Sequence, residues 1–166
     1  MPGKPKTDQL LAGSVETITG HAFSDHDLLR RALTHASARG GEGDDYQRLE
    51  FLGDRVLGLV VAQMVFEANP RAPEGELSLR LNALVNAETL AGIADEVGLS
   101  ELIVAGSELR TLSGRKRVNL RADVMEALIA AIYLDGGLDP ARRFIERCWG
   151  ARAAAPGAAR RDPKTE

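Results

Sequence analysis

The 166 residues are enough for one domain with a sizeable core and leave little room for a second complete domain. Apolar residues make up 44% of the chain and aromatic residues only 4%, which favours a helical protein over a β-sandwich. A single cysteine excludes an internal disulfide and a cysteine-rich zinc site, and it is consistent with a reducing, cytoplasmic compartment. The N-terminus carries no signal pattern, and charges interrupt the apolar runs well short of the ~20 residues of a membrane span.

The charge is divided unevenly along the chain. Residues 1–150 carry 17 basic and 22 acidic side chains, a net charge of −5, whereas residues 151–166 carry 4 and 2, a net charge of +2. An acidic body is poorly suited to nucleic acid, because affinity for phosphates normally comes from lysine and arginine. A nucleic-acid enzyme of this composition would rely on bound divalent metal and on a basic appended module.

Two helices are predicted near the N-terminus. Aliphatic residues at helical spacing predict a short helix over residues 8–19, after a disordered start at 1–7. A capping-box-like pattern beginning at Ser24 predicts a second helix over residues 25–38. The glycine-rich residues 39–42 then predict a loop.

The three histidines are not spaced as metal ligands. His35 falls in the second predicted helix with no histidine at i+3 or i+4 and with apolar neighbours. We therefore favour a structural role for His35 over a metal-binding or general-base role, and more so for His21 and His26. No zinc site is expected.

The stretch 44–65 is apolar on almost every side, which predicts a helix buried nearly all round. It nevertheless carries Glu50 and Asp54 four residues apart on one stripe, which Gln47 extends by one turn. Two ionised carboxylates on a buried helix repel each other and are costly to desolvate, so a positive group is expected between them. Gly53 and Gly58 both lie inside this predicted helix, and each predicts a close approach by a neighbour or ligand.

The middle of the chain predicts further helices over residues 74–86 and 87–97, with Gly98 as the stop signal, and a short helix over 99–104. A flexible loop is predicted at 108–118. Its basic residues are open to two interpretations: a solvated surface cluster, or phosphate contacts beside the helix that follows. They are Arg110, Arg115, Lys116 and Arg117.

Residues 121–134 form a second apolar stretch, with Asp123 and Glu126 at i and i+3 on one side. If the two acidic stripes face each other, four carboxylates form a cluster of formal charge −4, which hard divalent cations would neutralise. Two such ions holding a phosphate between them suit phosphodiester hydrolysis. These residues therefore predict a metal-assisted nuclease site.

Glycines 136 and 137 end the second acidic helix, and Asp139 followed by proline predicts the start of a last helix, to about Trp149. Cys148 falls on the apolar stripe of that helix, so it is interpreted as a core residue and not as a nucleophile. Residues 151–160 are rich in alanine, proline and glycine and predict a linker.

Two segments resemble one known family. Residues 48–54, Arg-Leu-Glu-Phe-Leu-Gly-Asp, are similar to the signature helix of the ribonuclease III family, and residues 122–129, Ala-Asp-Val-Met-Glu-Ala-Leu-Ile, to its second acidic motif. Segments 28–37 and 74–78 also match, so the resemblance covers about residues 23–149 in the expected order.

The resemblance implies an all-α endonuclease domain over residues 1–150 with two central buried acidic helices. It implies hydrolysis of double-stranded RNA, including ribosomal RNA precursors, to 5′-phosphate and 3′-hydroxyl ends. Two Mg²⁺ ions per site, or Mn²⁺ in their place, are the implied cofactors, with no small-molecule cofactor. The implied catalytic and metal-binding residues are Glu50, Asp54, Asp123 and Glu126.

The resemblance also implies a homodimer, with Phe51 at its interface, and leaves ordinary packing of Phe51 in the core as the alternative. Arg115, Lys116 and Arg117 are the candidate RNA-binding residues. Residues 161–166 resemble the entry to a double-stranded-RNA-binding domain, so we expect a nuclease domain cut from a longer protein.

The chain departs from the family pattern at Gln47, where relatives often have glutamate, and at Arg55, where a small residue is common. Gln47 keeps an acceptor oxygen and is expected to orient water or RNA as an auxiliary residue. Arg55 lies about 100° around the helix from Asp54 and need not enter the cluster. Two rival hypotheses remain. In the first, the carboxylates are purely structural: Arg48, Arg55 and Arg121 pair with them, and Asp123 complements a helix N-terminus. In the second, the chain is a catalytically silent RNA-binding or dimerisation module.

Overall fold

The computed structural model describes residues 5–35, 43–106 and 114–155, which form seven α-helices and one 3₁₀ turn. Within these ranges no β-strand forms, and the predicted all-α class is confirmed. The 3₁₀ turn spans Leu99–Leu102. The helices are α1 Pro5–Thr19, α2 His26–Leu33, α3 Gly43–Ala68, α4 Glu74–Val85, α5 Ala87–Val97, α6 Arg115–Gly136 and α7 Leu138–Ala154. No helix in the described part of the chain is both long and apolar enough to cross a membrane.

Helices α3 and α6 pack along each other at the centre of the molecule, with α5 against α6 and α7 against both. Every residue from Ala127 to Ile132 is fully buried, so the predicted burial of the second acidic helix is confirmed. Trp149 on α7 is also fully buried, and its indole Nε1 donates a hydrogen bond to the carbonyl oxygen of Leu84 at 2.7 Å. This bond ties the last helix to the end of α4.

At Gly53 the two central helices approach each other closely. A Cβ atom at this position would lie 1.8 Å from the carbonyl oxygen of Glu126, so only glycine fits. The close approach predicted for Gly53 is therefore confirmed. The same prediction is wrong for Gly58, where a Cβ atom would meet nothing within 4 Å.

The prediction that α3 is buried nearly all round is also wrong. The helix packs against α4, α6 and α7, whereas one of its sides is left uncovered by the described residues. Its apolar residues there are strongly exposed: Phe51 by 61%, Leu59 by 57% and Phe66 by 67%. An apolar side of a helix is stabilised when something covers it, but a second molecule can provide the cover as well as the protein's own core.

The N-terminal helices differ from prediction at their ends. Helix α1 begins at Pro5, within the predicted disordered start. Helix α2 is capped by Asp25 in place of Ser24, because the Asp25 carboxylate accepts a hydrogen bond from the backbone N–H of Leu28 at 3.0 Å. It ends at Leu33, where the backbone turns to pair with Val104. Residues 36–42, including the predicted loop, lie outside the described residues.

Helices α4 and α5 agree with prediction, and Gly98 ends α5 with a φ of 87° in the left-handed region. The short helix predicted over 99–104 is instead a 3₁₀ turn that stops at Leu102. The predicted loop at 108–118 is wrong at its end, because α6 already begins at Arg115. Residues 107–113 lie outside the described part of the chain.

Helix α7 begins at Leu138 with Gly137 as its cap residue, so Asp139 lies inside the first turn and is not the N-cap that we predicted. Gly137 has a φ of 92°, which lets the chain reverse directly between α6 and α7. The helix continues to Ala154, past the predicted end at Trp149 and into the first residues of the predicted linker. Residues 156–166, with the predicted domain entry, are not among those described.

Candidate active site

Helices α3 and α6 bring three carboxylates together. Oxygen atoms of Glu50, Asp123 and Glu126 all lie within 4.8 Å of one another, and each residue is half-buried. Glu50 comes from α3 and the other two from successive turns of α6, so the two acidic stripes do face each other. We call these three residues the acidic triad.

Asp54, the fourth carboxylate of the predicted cluster, lies beside the triad. Its side chain is hydrogen-bonded to that of Glu126, and its Oδ2 accepts a hydrogen bond from Arg55 Nη1 at 2.7 Å. The guanidinium of Arg55 also lies over the ring of Phe51, 4.5 Å from its centroid. Arg55 therefore pairs with Asp54, as the structural alternative proposed, although its angle around the helix did not require it to enter the cluster.

The triad concentrates negative charge in a partly buried place. Burial first, then the hydrogen bond with Asp54 and the charges of the surrounding carboxylates, raises the pKa of Glu126 to about 9. Burial and the charge of Asp123 raise the pKa of Glu50 to about 7, against an opposing effect of His35. At neutral pH, and without a bound cation, Glu126 therefore holds a proton and Glu50 is about half protonated.

This donor set fits a hard divalent cation. Carboxylate oxygens are the ligands that Mg²⁺ and Mn²⁺ prefer, and three of them converge here from two rigid helices. The raised pKa values agree with this interpretation, because they reflect the lack of a nearby positive charge. A bound cation would supply that charge. Arg121 does not supply it, because Nη1 of Arg121 is hydrogen-bonded to Asp95 at 3.2 Å.

His35 is the residue near the triad whose position the sequence did not indicate. It lies just after the end of α2 and not inside a longer helix, and its Nε2 is 3.7 Å from Asp123 Oδ2. Its ring also packs edge-on against Tyr46, with centroids 5.4 Å apart. Histidine spacing gave no signal because the partner of His35 is an aspartate on a helix distant in sequence.

Gln47 and Phe51 line a surface groove of ≈ 670 Å³ between α2, α3 and the end of α6. Both residues are exposed, and Leu52 and Leu134 add to the apolar wall. Gln47 lies one turn before Glu50 on α3, and its auxiliary role stays a prediction. We call this surface the Phe51 groove.

The candidate RNA-binding residues lie in the first turn of α6 and are exposed. Arg115 forms an ion pair with Glu88 of α5, which offsets its charge in part. Lys116 and Arg117 follow it on the same turn, and Arg117 also lines a second surface pocket of ≈ 490 Å³. Arg110 lies outside the described residues.

The family model that matches the chain is described as ribonuclease-III-like and covers residues 25–150. The chain is 68% identical over 149 residues to ribonuclease 3 of Mesorhizobium japonicum, a match that covers 89% of this chain and 67% of that protein. It is 61% identical over 155 residues to ribonuclease 3 of Brucella canis, covering 93% of this chain and 63% of that protein. The chain thus spans about two thirds of the length of these curated relatives.

Among solved structures, the nuclease domain of ribonuclease III from Campylobacter jejuni is similar, with a TM-score of 0.73 and 35% sequence identity. The match covers 82% of this chain and 97% of that one. The C. jejuni domain is described as structurally flexible in a region involved in dimer formation. Dicer from Pichia stipitis matches with a TM-score of 0.60 at 26% identity, over 78% of this chain and 56% of that one.

Proposed function

This chain belongs to the ribonuclease-III-like family, and from that membership we propose that it is a metal-dependent endoribonuclease that hydrolyses phosphodiester bonds of double-stranded RNA. The observation that carries the proposal is the acidic triad. Its three carboxylates come from the two segments that match the family, and they meet on the two central helices. Their convergence and the raised pKa values of Glu50 and Glu126 support a cation site, because pairing with arginine would lower the pKa of a carboxylate.

Glu50, Asp123 and Glu126 are proposed to hold Mg²⁺, with Asp54 completing the set through its contact with Glu126. Two Mg²⁺ ions, or Mn²⁺ in their place, supply when bound the activation of a water molecule and the stabilisation of the departing 3′ oxygen. The carboxylates lose their remaining protons on binding, because a nearby positive charge favours their ionised form. The products are a 5′-phosphate and a 3′-hydroxyl end.

The first turn of α6 is proposed to contact the phosphates of the RNA. Arg115, Lys116 and Arg117 are exposed there, on the same helix that carries Asp123 and Glu126. These three adjacent basic side chains contrast with residues 1–150 as a whole, which carry a net charge of −5. Phosphate contacts of this kind orient a duplex without selecting its sequence. Gln47, exposed on the first turns of α3, is proposed as an auxiliary residue that orients water or RNA.

A second copy of this chain is proposed to cover the exposed side of α3. Phe51, Leu59 and Phe66 form an apolar strip there, and the Phe51 groove lies beside it. A large exposed aromatic next to a concave apolar surface is self-complementary under two-fold symmetry. The C. jejuni nuclease domain, whose dimer formation is described, supports this arrangement.

The proposed setting is the cytoplasm, and ribosomal RNA precursors are proposed among the substrates. Family membership is the ground for both statements. A single cysteine is consistent with a reducing compartment, because it cannot form an internal disulfide.

The experiment compares a labelled RNA duplex with its two separate strands, in Mg²⁺ and in excess chelator. We expect cleavage of the duplex in Mg²⁺ alone, at internal positions, with 5′-phosphate ends. Glu126→Gln should abolish cleavage, whereas Glu146→Gln, on an exposed position of α7, should retain it. Duplex binding without cleavage under all conditions would instead favour the catalytically silent alternative.

A further inference from the structure

His35 is fixed in place by its backbone on the edge of the acidic triad. Its backbone N–H donates a hydrogen bond to the carbonyl oxygen of Val104 at 2.8 Å, and the N–H of Val104 donates to the carbonyl oxygen of Leu33 at 2.9 Å. These two bonds form a short β-bridge, which ends α2 and fixes the path of the backbone at this point. The position of the histidine Cα is therefore set by backbone contacts and does not depend on its side chain.

The ring of His35 is held from a second side. Tyr46 of α3 is fully buried, and its ring meets that of His35 edge-on at an interplanar angle of 66°. The imidazole is mostly enclosed, with 19% of its side chain exposed, and its Nε2 points toward Asp123 at 3.7 Å. This distance exceeds that of a hydrogen bond, so the contact is electrostatic between the ring nitrogen and the carboxylate.

His35 is close to the triad without belonging to it. The ring interacts electrostatically with Glu50 as well as with Asp123, yet no nitrogen of His35 falls within the group of converging ligand atoms. A side chain in this position can influence a bound cation only through the carboxylates. Groups of this kind, placed behind a metal ligand, orient that ligand and are often worth a factor of 10 to 100 in metal affinity.

We propose that His35 is a positioning residue: its ring restrains the carboxylate of Asp123 in the orientation that meets Glu50 and Glu126, and so strengthens cation binding. The inference rests on the proposed function only in taking the triad as a cation site. Asp123 is the triad member that needs such a restraint, because 34% of its side chain is exposed, whereas Glu126 is hydrogen-bonded to Asp54.

The chain contains a matched control in a second histidine–aspartate pair. His21 Nε2 lies 2.8 Å from Asp135 Oδ2, and Asp135 also accepts hydrogen bonds from the backbone N–H groups of Ser24 and Asp25. This pair joins the end of α6 to the start of α2, and neither residue belongs to the triad. Removing the ring of His21 should disturb the fold to a comparable degree without changing cation affinity.

Three variants separate the nitrogen of His35 from its ring. His35→Phe keeps the edge-on contact with Tyr46 but replaces the ring nitrogen by carbon. His35→Gln loses the ring but places an amide nitrogen the same number of bonds from the backbone as the histidine Nε2. His21→Gln is the control. Binding of Mn²⁺ alone is measured by electron paramagnetic resonance of the free ion, and circular dichroism monitors the fold.

We expect His35→Phe to weaken Mn²⁺ binding by about tenfold, while His35→Gln and His21→Gln bind much as the wild type does. Cleavage of duplex RNA by His35→Phe should recover as the Mn²⁺ concentration is raised, because the defect lies in holding the ion. If His35→Phe does not fold, His35→Leu makes the same comparison with a smaller apolar side chain.

Unchanged Mn²⁺ affinity in His35→Phe would overturn the inference and leave the proposed function standing. Equal weakening in His35→Phe and His35→Gln would also overturn it, since ring packing and not the nitrogen would then be responsible. A wild type that binds no Mn²⁺ would instead overturn the proposed cation site itself, and the inference with it.

Discussion

Replacing Glu126 by glutamine should stabilise the metal-free protein and at the same time remove its activity. The carboxyl group of Glu126 has a pKa of about 9 in the folded chain, against an ordinary value of 4.5. Between these two values the unfolded chain loses this proton while the folded chain keeps it. The contribution of Glu126 to stability is therefore undiminished below about pH 4.5, and it falls as the pH rises toward 9. Glutamine keeps the shape and an N–H donor but has no proton to lose.

The size of the effect follows from the pKa difference. A pH of 7 lies about 2.5 units above the ordinary pKa of glutamate. Keeping the proton on Glu126 at this pH therefore costs the folded state nominally about 3 kcal/mol. Glu126 is only half-buried, so screening by solvent reduces this figure to about 1–2 kcal/mol. Glu126→Gln should therefore be more stable than the wild type by about 1–2 kcal/mol at pH 7 in chelator, and by almost nothing at pH 4.5.

The assay is urea unfolding of both proteins at pH 4.5, 6, 7 and 8, in chelator and again in saturating Mg²⁺. In chelator the gap should widen with pH. In Mg²⁺ the wild type should gain more than the variant, because a ligand of the folded state alone stabilises it by mass action. A gap that is independent of pH, or a wild type that is the more stable protein in chelator at pH 8, would refute the assignment of buried charge to the triad.

Four further substitutions test the packing and the exposed surface. Gly53→Ala should destabilise the protein by at least about 3 kcal/mol in thermal unfolding, because its Cβ would lie 1.8 Å from a carbonyl oxygen of α6; Gly58→Ala, with open space around it, should gain about 0.5–1 kcal/mol, and equal effects would contradict the close approach. Trp149→Phe should lose about 1–3 kcal/mol, because the carbonyl oxygen of Leu84 is left without its indole donor, and an unchanged midpoint would show that the bond contributes nothing. Phe51→Ala should weaken dimerisation in sedimentation by a factor of ten or more while helical content is retained; a wild type that is monomeric at micromolar concentration would end the dimer proposal.

The sequence predicted most successfully where one local pattern had a single structural meaning. Helices α4 and α5 follow from aliphatic spacing, and the left-handed Gly98 marks the end of α5. The meeting of the two acidic stripes was foreseen because ionised carboxylates on an otherwise apolar helix are costly to bury unless they share a positive group. Glycine at position 53 indicated a close contact, although the same argument failed for Gly58.

The errors arose where a tertiary contact decided the outcome. Apolar residues on the outer side of α3 look the same in sequence whether the core or a second molecule covers them, so the exposure of Leu59 was missed. The reach of Arg55 to Asp54 depends on a side-chain conformation that helical angles do not specify. The approach of His35 to Asp123 was not predicted, because it depends on a pairing with Val104 that ends α2 early.

The central claim is that Glu50, Asp123 and Glu126 together hold a divalent cation, and anomalous diffraction from crystals soaked in Mn²⁺ tests it most directly. Manganese scatters anomalously, so its position is found independently of the protein coordinates. We predict an anomalous peak about 2.1–2.3 Å from oxygen atoms of all three carboxylates, with a matching loss of the peak in Glu126→Gln crystals. Saturating Mn²⁺ with no peak at the triad, or with a peak only at other residues, would contradict the account.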